Sequence, residues 1–342
     1  MSIWSNISRM KGETNLLSED LRTKRSANAL FVPTLRNNAW GLYDASGELI
    51  KEGVDYLRGE PIASGQLLDR SDPFDFEAWA PEQNYLYVGV MNPHYGHFIV
   101  NSLSRFCWAL QNRPPGMNLL CHCPIPLHAL KTFPFIRDIF DQIDIDLAQF
   151  CTFDTRTRIQ NVYVPETGFR EQFAIHPDFR KLCLSIGSRL VKFPAQASNI
   201  VYLSKARLKG GVGLLDAEAE LEEQARLVGC QIVYPETLSF RDQLEIFANA
   251  KVIIGTVGSA LHTSVFCAGA KTIIGLSPTP QINSNFGLID RLTGNNCIYF
   301  APVQGEMDRS HPSNFLTLHK PKDPVRLARD FFAEVSALLP NS

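Results

Sequence analysis

The chain has 342 residues, 33 Lys and Arg against 35 Asp and Glu, a net charge of −2, and 45% hydrophobic and 20% charged residues. That is a globular composition long enough for two domains with separate cores, and the near-neutral balance without a cationic block argues against nucleic acid as a partner. No run approaches the roughly eighteen apolar residues of a membrane span and Met1–Asn6 opens no apolar signal segment, so no transmembrane segment and a cytoplasmic location are expected.

In chain order, residues 1–28 are polar and weakly patterned and read as a flexible leader. Order is expected to begin near Ala29–Val32. Trp40–Tyr43 and Glu48–Lys51 flank Asp44-Ala-Ser-Gly47, whose Asp and Gly suit a hairpin reversal. Residues 53–79 have no period and read as loop. Leu86–Val90 is a buried strand, His94-Tyr95-Gly96-His97 a turn, and Phe98, Leu103, Phe106 and Leu110 mark the packed face of a helix over 98–110. A strand over 118–123, a helix over 129–143 and a strand over 158–164 follow. This alternation predicts a Rossmann-like domain over 29–193, closed by a helix from Asp178 with Phe179, Leu182, Ile186 and Leu190 on one face. Pro194–Ser198 reads as the linker. Eight cysteines without a framework spacing, among them Cys183, Cys230 and Cys267 in apolar stretches, read as reduced buried thiols.

The second domain, 199–320, carries three strand-turn-helix units. Ile200–Leu203 leads to Ser204-Lys205-Ala-Arg207-Leu-Lys209 and a helix from Asp216 to a stop at Gly229. Gln231–Tyr234 leads to Pro235-Glu236-Thr-Leu-Ser239, where Ser239 and Asp242 resemble a capping box for the helix that bears Gln243. Lys251–Ile254 leads to Gly255-Thr-Val-Gly258-Ser259-Ala260-Leu-His262, a helix through Phe266 and the strand Thr272–Ile274. Strands alternating with helices predict a parallel sheet covered on both faces. Ligands of such sheets bind beyond the carboxyl ends of the strands, where these cationic and glycine-rich turns fall, so the segment outlines a nucleotide site. Residues 321–342, with Asp323-Pro324 as cap and Val325, Leu327, Phe331, Val335 and Leu338 as stripe, form a terminal amphipathic helix.

Gly258-Ser-Ala-Leu261 with Phe266, preceded by Pro235-Glu236, Leu238-Ser239, Gln243 and Phe247, resembles the C-terminal half of glycosyltransferase family 61. Tyr95-Gly96-His97-Phe98 with Asn101, Arg105 and Leu110 resembles that family's other marker, a histidine-aromatic pair opening a helix. The resemblance covers about Leu86 to Leu276. It implies an α/β fold of the GT-B type, two Rossmann-like domains facing a cleft with a C-terminal helix crossing back, and inverting transfer of a sugar from a nucleotide donor, usually a UDP-sugar, to a glycan or glycoconjugate. The chain departs from the family pattern at Val257, where histidine is frequent, at Lys205, where arginine is, and at Ala217-Glu218 in place of Asn-Glu.

Such a reaction needs a base for the acceptor hydroxyl and a counter-charge for the departing diphosphate. His97 is the candidate base, since imidazole titrates near neutral pH; the structural alternative is a histidine that caps or packs its turn. His94, Tyr95 and Asn101 are candidates to orient the acceptor. On the donor side, the helix opening at Gly258, Ser259 and Ala260 offers backbone N–H groups to phosphate, and Lys205 and Arg207 offer charge, although loop cations are commonly only solvated. Glu236 is a candidate for the nucleoside, Glu218 for the ribose or an arginine, Ser239 and Gln243 for donor contacts, and His262 for a phosphate or its own helix end. Asp144-Ile-Asp146 has the spacing of a Mn²⁺ motif, but lies in the half without the phosphate features. Cys121-His122-Cys123 with His128 matches no standard zinc spacing, and adjacent strand residues face opposite ways. No metal and no cofactor are therefore expected. Alternatives are a pyruvyl transferase or a sugar-nucleotide epimerase built on similar glycine-serine loops, or a noncatalytic relative that binds nucleotide or a partner protein.

Overall fold

The computed structural model describes residues 4–6, 10–34, 40–61, 75–110, 117–313 and 316–339. The chain forms two compact units, 12–186 and 187–342 joined by 1–11. The division falls inside the helix Pro177–Leu190, upstream of the proline-bearing stretch 194–198.

The unit 12–186 is built on a mixed sheet. Its strands are β1 (Thr23–Val32), β2 (Gly41–Tyr43), β3 (Asn84–Val90), β4 (Asn118–His122), β5 (Phe150–Cys151) and β6 (Thr157–Pro165), in the order β5-β4-β3-β6-β1-β2. β5, β4, β3 and β6 run parallel, whereas β1 is antiparallel to β6 and β2 antiparallel to β1. Alternate residues of these strands, Ala29, Phe31, Tyr85, Tyr87, Leu120, Ile159, Val162 and Val164 among them, share one buried cluster. The expected Rossmann-like pattern is thus half realised: helical segments separate β3, β4 and β5, while β1 and β2 extend the sheet as an antiparallel ribbon.

Four sequence expectations change here. The leader 1–28 carries strands: Trp4–Asn6, Met10–Lys11, Asn15–Leu16 and the first six residues of β1. They are held by main-chain pairing to sheet edges, which a polar sequence satisfies without an apolar pattern. The helix expected over 98–110 is a mixed one, an α turn at Tyr95–His97, a π turn at Phe98–Ser102 and a 3₁₀ segment at Leu103–Leu110. The helix expected over 129–143 divides into a 3₁₀ segment, Leu127–Thr132, and α1 (Pro134–Asp141), because Pro134 lacks the N–H that a continuing helix requires and instead occupies the first helical turn. The loop expected over 53–79 holds short strands at Tyr56–Leu57, Glu60–Pro61 and Ala78–Trp79; residues 62–74 lie outside the described residues. After α1 and β6 the helix α2 (Pro177–Leu190) follows.

The second unit is a parallel sheet of β7 (Asn199–Leu203), β8 (Gln231–Val233), β9 (Ala250–Thr256), β10 (Thr272–Leu276) and β11 (Asn296–Pro302). Their order is β8-β7-β9-β10-β11, with Trp4–Asn6 added antiparallel on the outer edge of β11. Between them run α3 (Glu218–Leu227), α4 (Phe240–Asn249), a 3₁₀ segment (Ser259–Phe266) and α5 (Ser284–Thr293). The near-continuous apolar runs of β7, β9 and β10 are what a sheet covered on both faces requires. A small sheet of Gly211–Leu215, Met307–Ser313 and Leu316–Pro321 stands beside it.

The last helix, α6 (Pro324–Leu338), starts at Asp323, whose carboxylate accepts from Arg326 N at 2.9 Å. It was expected to cross back to the first domain. Its stripe Leu327, Ala328, Phe331, Phe332 and Val335 lies instead in one core with Tyr202, Leu221, Ile254 and Phe300 of its own unit. Each of the larger side chains buried there contributes about 2 kcal/mol, which fixes the helix on this sheet. No helix among the described residues is long and apolar enough to cross a membrane.

Candidate functional site

In the second unit the chain passes from β7 to β8 on one side and then to β9 on the other, so strand order reverses between β7 and β9. A reversal leaves the loops at the carboxyl ends of the two central strands diverging, which opens a crevice for a ligand. Lys205, two residues beyond β7, and Gly258, two beyond β9, meet there. The Lys205 ammonium donates to Val257 O at 2.8 Å and Gly213 O at 3.3 Å. A Cβ added to Gly258 would stand 2.8 Å from Lys205 Cε and Nζ, so any larger residue here displaces the end of the lysine side chain. Burial lowers the Lys205 ammonium to about 8, with Glu218 acting in the opposite direction. A cation kept close to neutral pH in its titration is ready to gain from an incoming anion. A cavity of about 550 Å³ opens beside it, lined also by Asp216, Glu218, Glu220, Lys320 and Lys322.

Two carboxylates one helical turn apart on α3 brace the turns beside this crevice. Glu218 accepts from Tyr202 Oη at 2.9 Å, Thr256 Oγ1 at 2.8 Å and Lys205 N at 3.2 Å. Burial pushes its carboxyl up, against those hydrogen bonds. Its oxygens thus tie β7, β9 and the Lys205 turn together. Glu222 accepts from Ser204 Oγ at 2.8 Å, Tyr234 Oη at 2.9 Å and Arg226 Nη2 at 2.6 Å. Burial works to raise its carboxyl, but these bonds outweigh it and hold the group below the usual range. Arg207, exposed, lays its guanidinium 3.8 Å from the centre of the Tyr234 ring, so Glu222 and Tyr234 together aim it at the carboxyl end of β8.

The remaining donor-side candidates separate. Gly258 is the N-cap of the 3₁₀ segment that begins at Ser259 and Ala260, so the first N–H groups of that segment open at the strand reversal. Ser239 caps α4: its Oγ accepts from Asp242 N at 3.1 Å and donates to Asp242 Oδ2 at 2.7 Å. Gln243 Nε2 donates to Pro235 O at 2.9 Å and Leu238 O at 3.4 Å, holding the turn that carries the exposed Glu236. His262 is buried, its ring 4.7 Å from that of Phe286 on α5. The structure therefore gathers Lys205, Arg207 and Gly258–Ala260 at the strand ends, and gives Ser239, Gln243 and His262 to local packing. Glu222 and Tyr234 were not singled out by the sequence; their signal was a glutamate one turn after Glu218 and a tyrosine at the end of a strand.

In the first unit the turn after β3 presents His94 and His97, ring centres 5.5 Å apart and both exposed at the surface. Partial burial, and then His97, lower His94 from its ordinary value. His97 Nδ1 lies 3.1 Å from Asn101 Oδ1, one helical turn on, and Asn101 Nδ2 donates to Glu171 Oε2 at 3.2 Å. Both ends of the Asn101 amide are thus engaged within the unit. Tyr95 packs edge-on against Phe135 at 5.2 Å. Arg105 is wholly buried and donates to the carbonyls of Glu52, Val54 and Pro165 and to Asp55 Oδ1 at 3.0 Å, pinning the 52–55 segment.

The two metal-like patterns have structural uses. Asp146 accepts from Ala148 N at 2.8 Å as the cap of a 3₁₀ turn, and Asp144 adopts φ +54°. His122 is stacked on Phe31 at 4.1 Å and bonded to Tyr87 Oη at 2.8 Å and Val32 O at 2.9 Å, and burial lowers it to about 4, a neutral core histidine. Among the described residues no group of three or more His, Cys, Asp or Glu side chains is arranged to hold a metal.

The family model described as Glycosyltransferase 61 matches residues 95–274, just over half of the chain. No curated protein matches it significantly.

Proposed function

We infer the reaction from one premise: the chain belongs to glycosyltransferase family 61 and is a glycosyltransferase. The donor is a nucleotide sugar, for which we take UDP as the nucleotide, and the acceptor a glycan or glycoconjugate hydroxyl, in the assembly of a surface polysaccharide. The protein is a GT-B transferase with the donor side in 187–342 and the acceptor side in 12–186. His97 Nε2 takes the proton of the acceptor hydroxyl, the oxygen attacks the anomeric carbon opposite the nucleotide, and the bond to the diphosphate oxygen breaks. A single displacement of this kind inverts the anomeric centre. Lys205, Arg207 and the N–H groups opening at Ser259 and Ala260 take up the charge that grows on the diphosphate.

The observation that carries this reading is the meeting of Lys205 with Gly258 at the reversal of strand order. It brings positive charge and the first N–H groups of the 3₁₀ segment to the carboxyl ends of the central strands, where open parallel sheets bind nucleotides. The test is to incubate the protein with UDP-sugars, with and without a glycan acceptor, and to follow the anomeric proton by NMR. Transfer with inverted configuration that requires the acceptor is expected. An epimerised sugar formed without acceptor, or a product of retained configuration, contradicts the reading.

A further inference from the structure

We propose that Glu171 is a positioning residue that sets the tautomer of His97 by way of Asn101. The proposal rests on the reading of His97 as the base. An ionised carboxylate only accepts hydrogen bonds, so the Asn101 group facing Glu171 Oε2 at 3.2 Å is the NH₂. The amide oxygen then faces His97 Nδ1 at 3.1 Å, and a carbonyl oxygen also only accepts. Neutral His97 must therefore carry its proton on Nδ1, which leaves the lone pair on Nε2. Free imidazole side chains favour the opposite tautomer, in which Nε2 is protonated and is no base. When Nε2 takes the acceptor's proton, the carboxylate two hydrogen bonds away also favours the imidazolium.

Glu171 is itself held in place. Its carbonyl accepts from Arg58 N at 3.0 Å, and Arg58 Nε donates to Gln172 Oε1 at 3.2 Å. Arg58 and Gln172 are both non-glycine residues in the left-handed region, φ +55° and +56°. Such conformations cost free energy and persist where the surroundings impose them. His94, on the turn before His97, faces it with ring centres 5.5 Å apart, Arg58 Nε is turned to Gln172, and Arg170 is turned to Glu166 at 3.6 Å and to the Tyr56 ring at 5.1 Å.

The test uses Glu171→Gln alone, Glu171→Gln combined with Asn101→Asp, and ¹⁵N NMR of the histidine rings in the full chain. The glutamine amide can offer either of its ends, so in the single variant Asn101 is released to turn over. We expect kcat to fall about tenfold with KM and UDP affinity unchanged, and the His97 ring to move from the Nδ1–H towards the Nε2–H form. In the double variant the new glutamine donates to the new aspartate, the reverse of the parent's bond, and that aspartate accepts from His97 Nδ1, which again holds the proton on Nδ1. There kcat should recover, and the acidic limb of its pH profile should move to higher pH, because the carboxylate now touches the imidazole. A merely structural tie would show neither the tautomer change nor the shifted limb. An unchanged His97 tautomer in Glu171→Gln, or a double variant no better than the single one, overturns the proposal. Full turnover by His97→Ala would remove the base assignment separately, while the ring spectrum of the parent and of Glu171→Gln would still report whether the relay sets the tautomer.

Discussion

The two units divide local from long-range information. In the second, every strand of the parallel sheet is followed by its own turn, so charge and glycine fall at the ligand end by connectivity alone. In the first, the relay behind His97 reaches through Asn101 to Glu171, far along the chain, and the sheet takes in an antiparallel ribbon. A donor site assembled from consecutive turns can be read turn by turn. A base oriented from a distant segment cannot.

Experiments that break the two sides apart sharpen that contrast. His97→Ala should lower turnover by roughly a hundred- to ten-thousand-fold while UDP affinity stays unchanged, because the base acts only in the transition state. Steady-state rates and titration calorimetry on the same sample check it, and near-normal turnover moves the base elsewhere. Gly258→Val acts on the other side: its side chain meets Lys205 Cε and Nζ, so UDP affinity should fall about a hundredfold, roughly 3 kcal/mol, with a circular-dichroism spectrum like the parent's. Arg207→Ala removes one exposed cation and should cost about tenfold in UDP affinity. Unaltered binding in both variants places the nucleotide outside this crevice.

The pH dependence of UDP binding is the smallest of these effects. Burial brings the Lys205 ammonium down to about 8. Below that pH it is charged and binding needs no proton; above it a proton must be taken up with the ligand. Affinity should thus be level up to about pH 8 and then fall, by at most about tenfold per unit. Lys205→Met should bind more weakly at neutral pH and lose the bend, whereas a bend that survives the substitution assigns it to another group.

What the sequence disclosed follows from the range of each interaction. Ile200–Leu203 and Lys251–Ile254 were legible as strands because burial on both faces leaves apolar runs between turn residues, and Ser239 was legible as a cap because its partner Asp242 is three residues away. Asp323 and Pro324 announced α6, yet not its packing, because a stripe of Leu327, Phe331 and Val335 says only that something covers it. Trp4–Asn6 was hidden because it is held by the backbone of β11. Glu218 was read as a ligand contact, and its three hydrogen-bond donors from β7, β9 and the Lys205 turn were not legible. Glu171 gave no signal at all, since nothing near it in sequence points to His97.

The central claim, that this chain's own cations and backbone hold the diphosphate, is tested most directly by titrating UDP into the protein in EDTA and again in Mn²⁺. Lys205, Arg207 and the turn at Gly258 predict the same dissociation constant in both, with Arg207→Ala weakening both equally. Binding that is absent in EDTA and restored by Mn²⁺ would contradict the claim and return Asp144 and Asp146 as candidate ligands of the metal.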